Sequence, residues 1–247
     1  MAEVSGSASS PCDKSGLIVI VGHGRSPEGR GWGPLIDAAN CVVRMWEWHW
    51  QDPADYGTKY DWGLVETHRK VLDKFHQHNR HQPRMGFIAS KLYCTHRTMG
   101  TLPPRSIIVD QDQWLEQEGK SIKGVGLTGV WQLTRGGVAA CWAITRAKPG
   151  STVVLLGFDN VRGGIALAPD AAFSPAYQSD PAFWGMDAYK EGETKEGNHD
   201  YPAERRLIEL VASRRGGVTV VFAQDFWPCS SISSEAVPPL EVSKPAV

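Results

Sequence analysis

The chain has 247 residues, which fits one sizeable α/β domain, and its formal net charge of −1 favours no particular class of charged partner. Hydrophobic residues make up 41% of the chain and charged residues 21%, as in an ordinary globular protein with a packed core. The 5 cysteines lack the short spacings of zinc ligands, and no apolar run has the length needed to cross a bilayer. Residues 1–16 are Ser-rich and contain no basic stretch followed by an apolar run, so we expect neither a signal peptide nor a membrane anchor. These features predict a cytoplasmic protein with free thiols.

Short apolar runs alternate with helical patterns along the chain. The runs predict buried parallel strands at Leu17–Val21, Cys41–Met45, Met85–Ala89, Ser106–Val109, Thr152–Leu156 and Val218–Phe222. The helical patterns lie near residues 33–39, 64–79, 111–118, 129–147 and 201–214. This alternation predicts a single Rossmann-like α/β domain over residues 16–227, with a mostly parallel sheet covered by helices on both faces. The Ser- and Pro-rich ends, residues 1–15 and 228–247, are predicted to be disordered tails.

The loop after the first predicted strand is rich in glycine, with the sequence GHGRSPEGRGWG from Gly22 to Gly33. Glycine permits tight turns and lets backbone N–H groups approach an anion closely. Because ligands of parallel sheets bind beyond the carboxyl ends of the strands, the loop predicts a cradle for a nucleotide phosphate or ribose. The spacing is neither that of a P-loop nor GxGxxG, so a purely structural turn remains the alternative.

A second glycine-rich turn, GVGLTG at residues 124–129, precedes the helix predicted at 129–147. The strand after that helix closes with Gly157-Phe158-Asp159. A helix N-terminus carries free N–H groups and partial positive charge, so it can hold a phosphate, and Thr128 is predicted to cap it. A simple helix cap without a ligand is the alternative.

These segments resemble, in order and spacing, the large and small motifs of the sialyltransferases, glycosyltransferase family 29. The large motif corresponds to GWGPLID at 31–37, CVVRM at 41–45 and YGTKYD at 56–61, and the small motif to LTG at 127–129 and GFD at 157–159. The resemblance implies a variant GT-A fold and a CMP-sugar donor, with a UDP-sugar as the alternative. The donor-binding residues it implies are Gly22, His23, Gly24, Ser26, Arg44, Trp46, Asp61, Thr128, Gly129 and Asp159. His23 and Trp46 stand where the family has phosphate-contacting asparagines.

His199 lies just before the helix predicted at 201–214, whose first turn contains Pro202 and Glu204. An imidazole at a helix N-terminus is held in its neutral form, which a general base at neutral pH requires. The spacing His199-x4-Glu204, followed by a strand, resembles the very small motif of the same family, in which the histidine deprotonates the acceptor hydroxyl. We therefore predict His199 and Glu204 as catalytic residues, with a helix-capping histidine as the alternative.

The segment between Thr67 and Arg105 carries eight Lys and Arg residues and one acid, Asp73, a local charge of +7. This segment is either a solvated helix face or a groove for a polyanion, and the tryptophans between 46 and 50 offer stacking surfaces. In the sialyltransferases the corresponding region shapes the acceptor site. The predicted acceptor-binding residues are Trp48, Trp50, Arg69, Arg80 and Arg97. A glycan and a hydroxymethylated base in phage-type DNA are both candidate acceptors.

Together the motifs predict a metal-independent, inverting glycosyltransferase that needs no cofactor besides the nucleotide-sugar and no membrane. Asp110-Gln111-Asp112 has the form of a metal-binding DxD motif, but it begins a predicted helix far from the donor motifs. Two alternatives remain open: a Rossmann-like nucleic-acid-binding module without catalysis, and a nucleotide-sugar hydrolase.

Overall fold

Seven parallel strands form one sheet. The computed structural model describes residues 15–22, 24, 26–45, 52–67, 69, 72–73, 76, 83–84, 86–91, 100–110, 133–158 and 201–226. The strands are β1 (Leu17–Val21), β2 (Cys41–Met45), β3 (Trp62–Glu66), β4 (Gly86–Lys91), β5 (Ser106–Asp110), β6 (Thr152–Leu156) and β7 (Thr219–Phe222). They lie in the order β5-β4-β3-β2-β1-β6-β7, and every neighbouring pair is parallel. This arrangement confirms the predicted α/β fold.

The order of the strands creates a switch point beside β1. The chain adds strands outward from β1 to β5 and then returns to the other side of β1 with β6 and β7. Strands β1 and β6 are neighbours, and Val21 at the end of β1 lies opposite Leu156 at the end of β6. In open α/β sheets, ligands bind beyond the carboxyl ends of the strands at such a switch point.

Helices cover both faces of the sheet. They are α1 (Gly33–Ala38), α2 (Pro53–Tyr56), α3 (Arg135–Arg146), α4 (Tyr201–Arg215) and α5 (Ala223–Phe226). Alternate residues of β1 enter two cores: Ile18 and Ile20 pack with residues of α3 and α4, whereas Val19 and Val21 pack with residues of α1, α2 and α5. Full burial of an Ile or Val side chain contributes about 1.5–3 kcal/mol, so this near-continuous apolar run fixes β1 at the centre of the fold.

The helices α3 and α4 lie side by side in the same direction. At their N-terminal ends the Glu204 carboxyl accepts hydrogen bonds from Thr134, and at their C-terminal ends Arg215 Nε donates to the Ala147 carbonyl oxygen over 3.3 Å. The carboxyl group lies at the positive ends of two helix dipoles, and the guanidinium lies at the negative ends of the same two dipoles. Both placements are electrostatically favourable. Beneath α3, the rings of Trp62 and Trp142 pack at a centroid distance of 5.3 Å.

Two predicted helices differ from the structure. The pattern at 64–79 begins with strand β3, because Trp62–Glu66 pairs with both β2 and β4 and its buried side chains gain more from the sheet than from a helix. The helix predicted from residue 129 begins only at Arg135, with Thr134 as its N-cap, so the prediction that Thr128 caps it is wrong. The Thr134 side chain accepts a hydrogen bond of 2.9 Å from Gly137 N, which satisfies a free donor of the first turn.

Several predictions fall outside the described residues. They concern the helix at 111–118 and the tails at 1–15 and 228–247, of which only Ser15 is described. Among the residues that the structure describes, no helix is long and apolar enough to cross a membrane.

Candidate functional site

The loop after β1 and the turn after β6 meet at the switch point between these two strands. Gly22 N donates to the Leu156 carbonyl oxygen over 2.8 Å, and Gly24 N donates to the Gly157 carbonyl oxygen over 2.9 Å. Gly157 has a φ of +68°, and an added Cβ would lie 3.0 Å from the carbonyl oxygens of both Gly22 and Gly24. A Cβ added at Gly22 would lie only 2.5 Å from the Gly157 carbonyl oxygen, so the two backbones approach too closely for a side chain at Gly22. This contact brings Gly22 and Gly24, two of the predicted donor-binding residues, to the carboxyl edge of the sheet.

The short helix α2 holds the loop that follows β1. The Tyr56 hydroxyl, on a buried side chain, donates to the Gly24 carbonyl oxygen over 2.9 Å. The neighbouring Asp55 carboxylate accepts from the backbone N–H groups of Gly29, Arg30 and Gly31 over 2.6, 2.9 and 2.8 Å. Two adjacent side chains of one helical turn thus fix both halves of the loop.

Sequence reasoning missed Asp55. The sequence Asp52-Pro53-Ala54-Asp55 is typical of a helix start, with Asp52 as the N-cap and proline at the first helical position. That pattern predicts α2, but it does not indicate that Asp55 reaches residues 24 to 26 positions earlier in the chain.

The segments that resemble the large motif bind one another. The Asp37 carboxylate accepts from Thr58 N and Lys59 N, each over 2.7 Å, and from the Thr58 hydroxyl over 3.1 Å. The Gly33 backbone lies directly against the Pro53 and Ala54 carbonyl groups, where no Cβ would fit. These contacts join α1 to α2 and to the loop before β3.

Arg44 is fully buried at the end of β2, on the face that α1 and α2 cover. Its Nε donates to the Lys59 carbonyl oxygen over 2.6 Å, and Nη2 donates to the Tyr56 carbonyl oxygen. Burial lowers the pKa of the guanidinium to about 10, and the nearby Asp37 opposes this shift. Arg44 therefore holds the segment that carries Tyr56, and Tyr56 in turn contacts the Gly24 backbone.

The structure does not bring Asp61 together with the loop after β1. Asp61 lies just before β3, at the amino-terminal edge of the sheet, and its carboxylate accepts from Val42 N over 2.9 Å. Lys59 Nζ lies 3.5 Å from the same carboxylate. These contacts tie the start of β3 to β2, at the edge opposite the switch point.

The N-termini of α3 and α4 join the switch point from the other face of the sheet. A Cβ added at Gly136, in the first turn of α3, would lie 2.8 Å from the Phe158 ring, which directly follows Gly157. Thr134 N donates to Glu204 Oε2 over 2.5 Å, and the Thr134 hydroxyl donates to Oε1 over 2.8 Å. Glu204, predicted as catalytic, thus lies in the first turn of α4 and joins it to the first turn of α3.

The Glu204 carboxyl is buried at this junction. Its side chain occupies the space that a Cβ at Gly137 would need. Burial raises its pKa to about 7, although the hydrogen bonds from Thr134 lower it. A carboxyl group with this pKa exchanges its proton near neutral pH.

A second contact fixes the start of α4. Arg205 donates to both carboxylate oxygens of Asp225 in α5, and its guanidinium carbon lies 4.3 Å from the centroid of the Phe222 ring. Arg205 Nε also donates to Glu209 over 2.9 Å. The first turn of α4 is therefore bound on one side to α3 through Glu204 and on the other to α5 through Arg205.

The described cations of the basic segment do not form one surface. Arg69 is exposed and follows β3 at the carboxyl edge, where the Gly100 backbone packs against it. Arg105 lies at the amino-terminal edge before β5, and its guanidinium donates to the carbonyl oxygens of Pro83 and Arg84 over 2.8 and 2.6 Å. The predicted groove for a polyanion therefore does not include Arg84 and Arg105.

Ser26 is buried in the loop after β1. The remaining predicted site residues lie outside the described residues: His23, Trp46, Trp48, Trp50, Arg80, Arg97, Thr128, Gly129, Asp159 and His199.

Comparisons with solved structures find this chain similar in fold to structures of a mammalian sialyltransferase. One structure, in complex with Gal-beta-1-3GalNAc-ortho-nitrophenol, has 13% sequence identity and a TM-score of 0.48. The match covers 83% of this chain and 69% of the sialyltransferase chain. A second structure of a mammalian sialyltransferase matches 83% of this chain and 68% of its own, with the same identity and TM-score. The likeness concerns the arrangement of strands and helices and assigns no activity to this chain. No protein-family model and no curated protein matches it.

Proposed function

We propose that this chain is a sialyltransferase-like glycosyltransferase that moves a sugar from a nucleotide-sugar to an acceptor hydroxyl. The observation that carries the proposal is the junction at the switch point, where Gly22 and Gly24 bind the end of β6 and its following turn. Open α/β sheets bind their ligands at a switch point of this kind, and a glycine-rich loop lets the backbone approach a phosphate closely. The resemblance of the same segments to the sialyltransferase motifs supports the reaction class.

In this proposal the donor lies at the switch point. Its phosphate binds at the loop from Gly22 to Ser26, with His23 as a side-chain donor, and the Trp46 indole N–H, Thr128, Gly129 and Asp159 complete the donor site. The resemblance favours a CMP-sugar, and a UDP-sugar is the alternative donor.

His199 is the proposed base. Two peptide links separate it from Tyr201, and two links span at most about 7.6 Å, so the position of α4 limits where its imidazole can act. The first turn of α4 is bound through Glu204 to Thr134, in the same group of contacts that includes Phe158. Glu204 is then a positioning residue, because its carboxyl is engaged by Thr134.

The proposed reaction is a direct displacement that inverts the anomeric carbon. His199 takes the proton of the acceptor hydroxyl as its oxygen bonds to the anomeric carbon. The bond from that carbon to the phosphate oxygen breaks, and the nucleotide leaves with the bonding electrons. In this proposal the His23 side chain and the loop after β1 stabilise the charge that develops on the phosphate, and no metal ion takes part.

The proposed acceptor site lies at the carboxyl edge of the sheet. Arg69, exposed at the carboxyl edge, supports an acceptor site there, together with Trp48, Trp50, Arg80 and Arg97. A glycan and a hydroxymethylated base in DNA both offer a hydroxyl. The DNA acceptor predicts that activity falls steeply as the salt concentration rises, because phosphate contacts release counterions.

A donor panel tests the nucleotide site. CMP-, UDP- and GDP-sugars and their free nucleotides are each added in a thermal unfolding assay. A true donor at one hundred times its Kd stabilises the fold by about 2.7 kcal/mol, which corresponds to a rise in Tm of roughly 5–10 °C for a chain of this size. If every nucleotide leaves the Tm unchanged, the proposal is wrong.

Transfer assays then test the base. His199→Asn is expected to lower kcat by about 10²- to 10⁴-fold, the usual contribution of a general base, while the Kd for the donor stays within about threefold. The matched control is His76→Gln, which removes an exposed imidazole that contacts the Thr101 carbonyl oxygen. Release of free sugar without an acceptor would instead indicate a hydrolase. DNA binding without any transfer, unchanged in His199→Asn, would indicate a binding module.

A further inference from the structure

The second half of the glycine-rich loop already holds an anion. The N–H groups of Gly29, Arg30 and Gly31 converge on the Asp55 carboxylate at 2.6, 2.9 and 2.8 Å. Gly29 and Gly31 have φ values of +68° and +66°, in the left-handed region that favours glycine. Consecutive N–H groups that point to one centre form a nest, the backbone structure that binds phosphates in many loops. We call residues 29–31 the second nest, because they lie in the second half of the loop.

The carboxylate in the second nest comes from a separate element. Asp55 belongs to α2, and its side chain reaches the nest from 24 to 26 residues further along the chain. A Cβ added at Gly29 or Gly31 would meet no atom within 4 Å, so the loop is open on its outer side. If the carboxylate were removed, a small anion could take the space that the Asp55 side chain vacates.

The second nest and the donor loop are mechanically joined. Tyr56, the residue after Asp55, donates its hydroxyl to the Gly24 carbonyl oxygen over 2.9 Å. The helical turn that places a carboxylate in the second nest thus also fixes the half of the loop that lies at the switch point.

We propose that Asp55 is a specificity-determining residue: its carboxylate occupies the second nest in place of a phosphate and keeps the loop from binding a second phosphoryl group. Without Asp55 the N–H groups of Gly29 and Gly31 lose this acceptor, and the Arg30 N–H keeps only its bond of 3.1 Å to the Pro27 carbonyl oxygen. A phosphate is the ligand class of the vacated nest. A phosphoryl group near the native loop meets a carboxylate of like charge instead of free donors. The nest itself does not depend on the proposed glycosyl transfer, whereas the selection among nucleotides does rest on it.

Inorganic phosphate is the first probe. The variants are Asp55→Ala, which removes the carboxylate, and Asp55→Asn, which keeps its shape without the charge. Asp52→Ala is the matched control, because Asp52 is a carboxylate of the same helical turn that caps Ala54 N over 2.9 Å and does not touch the loop. Each protein is unfolded thermally in increasing phosphate and, separately, in chloride at matched ionic strength.

In phosphate, the Tm of Asp55→Ala is expected to rise saturably by several degrees relative to chloride, whereas the native chain and Asp52→Ala show no such rise. If Asp55→Ala does not fold in chloride, its recovery in phosphate is the equivalent result, and Asp55→Asn gives an independent measurement. The proposal is overturned if both Asp55 variants respond to phosphate as the native chain and the control do.

The nucleotide arm compares CMP with CDP by calorimetry. The native chain is expected to bind CDP no more tightly than CMP, whereas Asp55→Ala binds CDP at least about tenfold more tightly than CMP, a difference of about 1.4 kcal/mol. If Asp55→Ala binds phosphate but the native chain binds no nucleotide, the second nest is supported as an anion site and the proposed function is refuted. Nucleotide binding by the native chain, with an unchanged preference in Asp55→Ala, would refute the role of Asp55 alone.

Discussion

Burial of Glu204 makes the stability of this fold depend on pH in a direction opposite to that of most carboxyl groups. Removal from water raises its pKa from 4.5 to about 7, so the folded protein binds this proton more tightly than the unfolded chain does. Protonation of Glu204 therefore stabilises the fold. Its contribution is complete below about pH 4.5, decreases as the pH rises, and is lost above about pH 7.

The size of this effect follows from the same two values. A rise in pKa from 4.5 to about 7 corresponds to about 3 kcal/mol of stability lost between those pH values. Glu204→Gln provides the neutral reference, because its amide oxygen can accept from Thr134 N while its NH2 group donates to the Thr134 hydroxyl oxygen. Relative to the native chain, the variant should gain up to about 3 kcal/mol as the pH rises from 4.5 to 8.

Denaturant unfolding of both proteins across this pH range measures the difference directly, because titration of all other groups cancels. The control is Glu209→Gln, the same chemical change in the same helix at a side chain that is 50% exposed and paired with Arg205. An exposed pair of this kind contributes about 0.3–0.5 kcal/mol, so the control curve should be nearly flat. A difference between the Glu204→Gln and native free energies of unfolding that does not change with pH would refute the reasoning.

Two further predictions concern the switch point. Gly157→Ala should destabilise the fold by at least about 2 kcal/mol in denaturant unfolding, because its Cβ would press on the carbonyl oxygens of Gly22 and Gly24 and its φ of +68° is unfavourable for alanine. Gly150→Ala, with a φ of +84° but nothing within 4 Å of the added Cβ, should lose only about 1 kcal/mol. Tyr56→Phe removes one hydrogen bond to Gly24 and should weaken nucleotide binding about fivefold in calorimetry, a loss of about 1 kcal/mol. Equal affinity in Tyr56→Phe would show that the loop holds its shape without the hydroxyl.

The central strands could be predicted from the sequence, because a strand that is buried on both faces has a short apolar run of its own. Leu17–Val21, Cys41–Met45 and Thr152–Leu156 are predominantly apolar runs, and the structure has strands with those same bounds. Such runs indicate strands that are covered on both faces, which only the middle of a parallel sheet provides. Strand β3 was not predictable in this way, because Trp62-Gly63-Leu64-Val65-Glu66 continues into a segment with helical periodicity.

The partners of the polar residues were not predictable, because they depend on contacts between distant segments. Asp55 binds the loop after β1, and Glu204 binds Thr134, 70 residues earlier in the chain. A sequence shows that these residues are acidic and where they lie along a helix. It does not show which backbone N–H groups reach them, and in both cases those groups decide the role of the carboxyl.

The described residues of the large-motif segments mostly build the scaffold of the site. Asp37, Arg44 and Asp61 all have backbone groups of the same chain as hydrogen-bond partners. Residues with these roles stabilise the sheet and the loop, and this role does not depend on which donor is bound. Under the proposed function, the choice of donor then depends on side chains such as His23 and on whether an internal anion such as Asp55 fills the second nest. Exchanging the scaffold residues should therefore change stability first, whereas exchanging side chains such as His23 should change affinity with little effect on the fold.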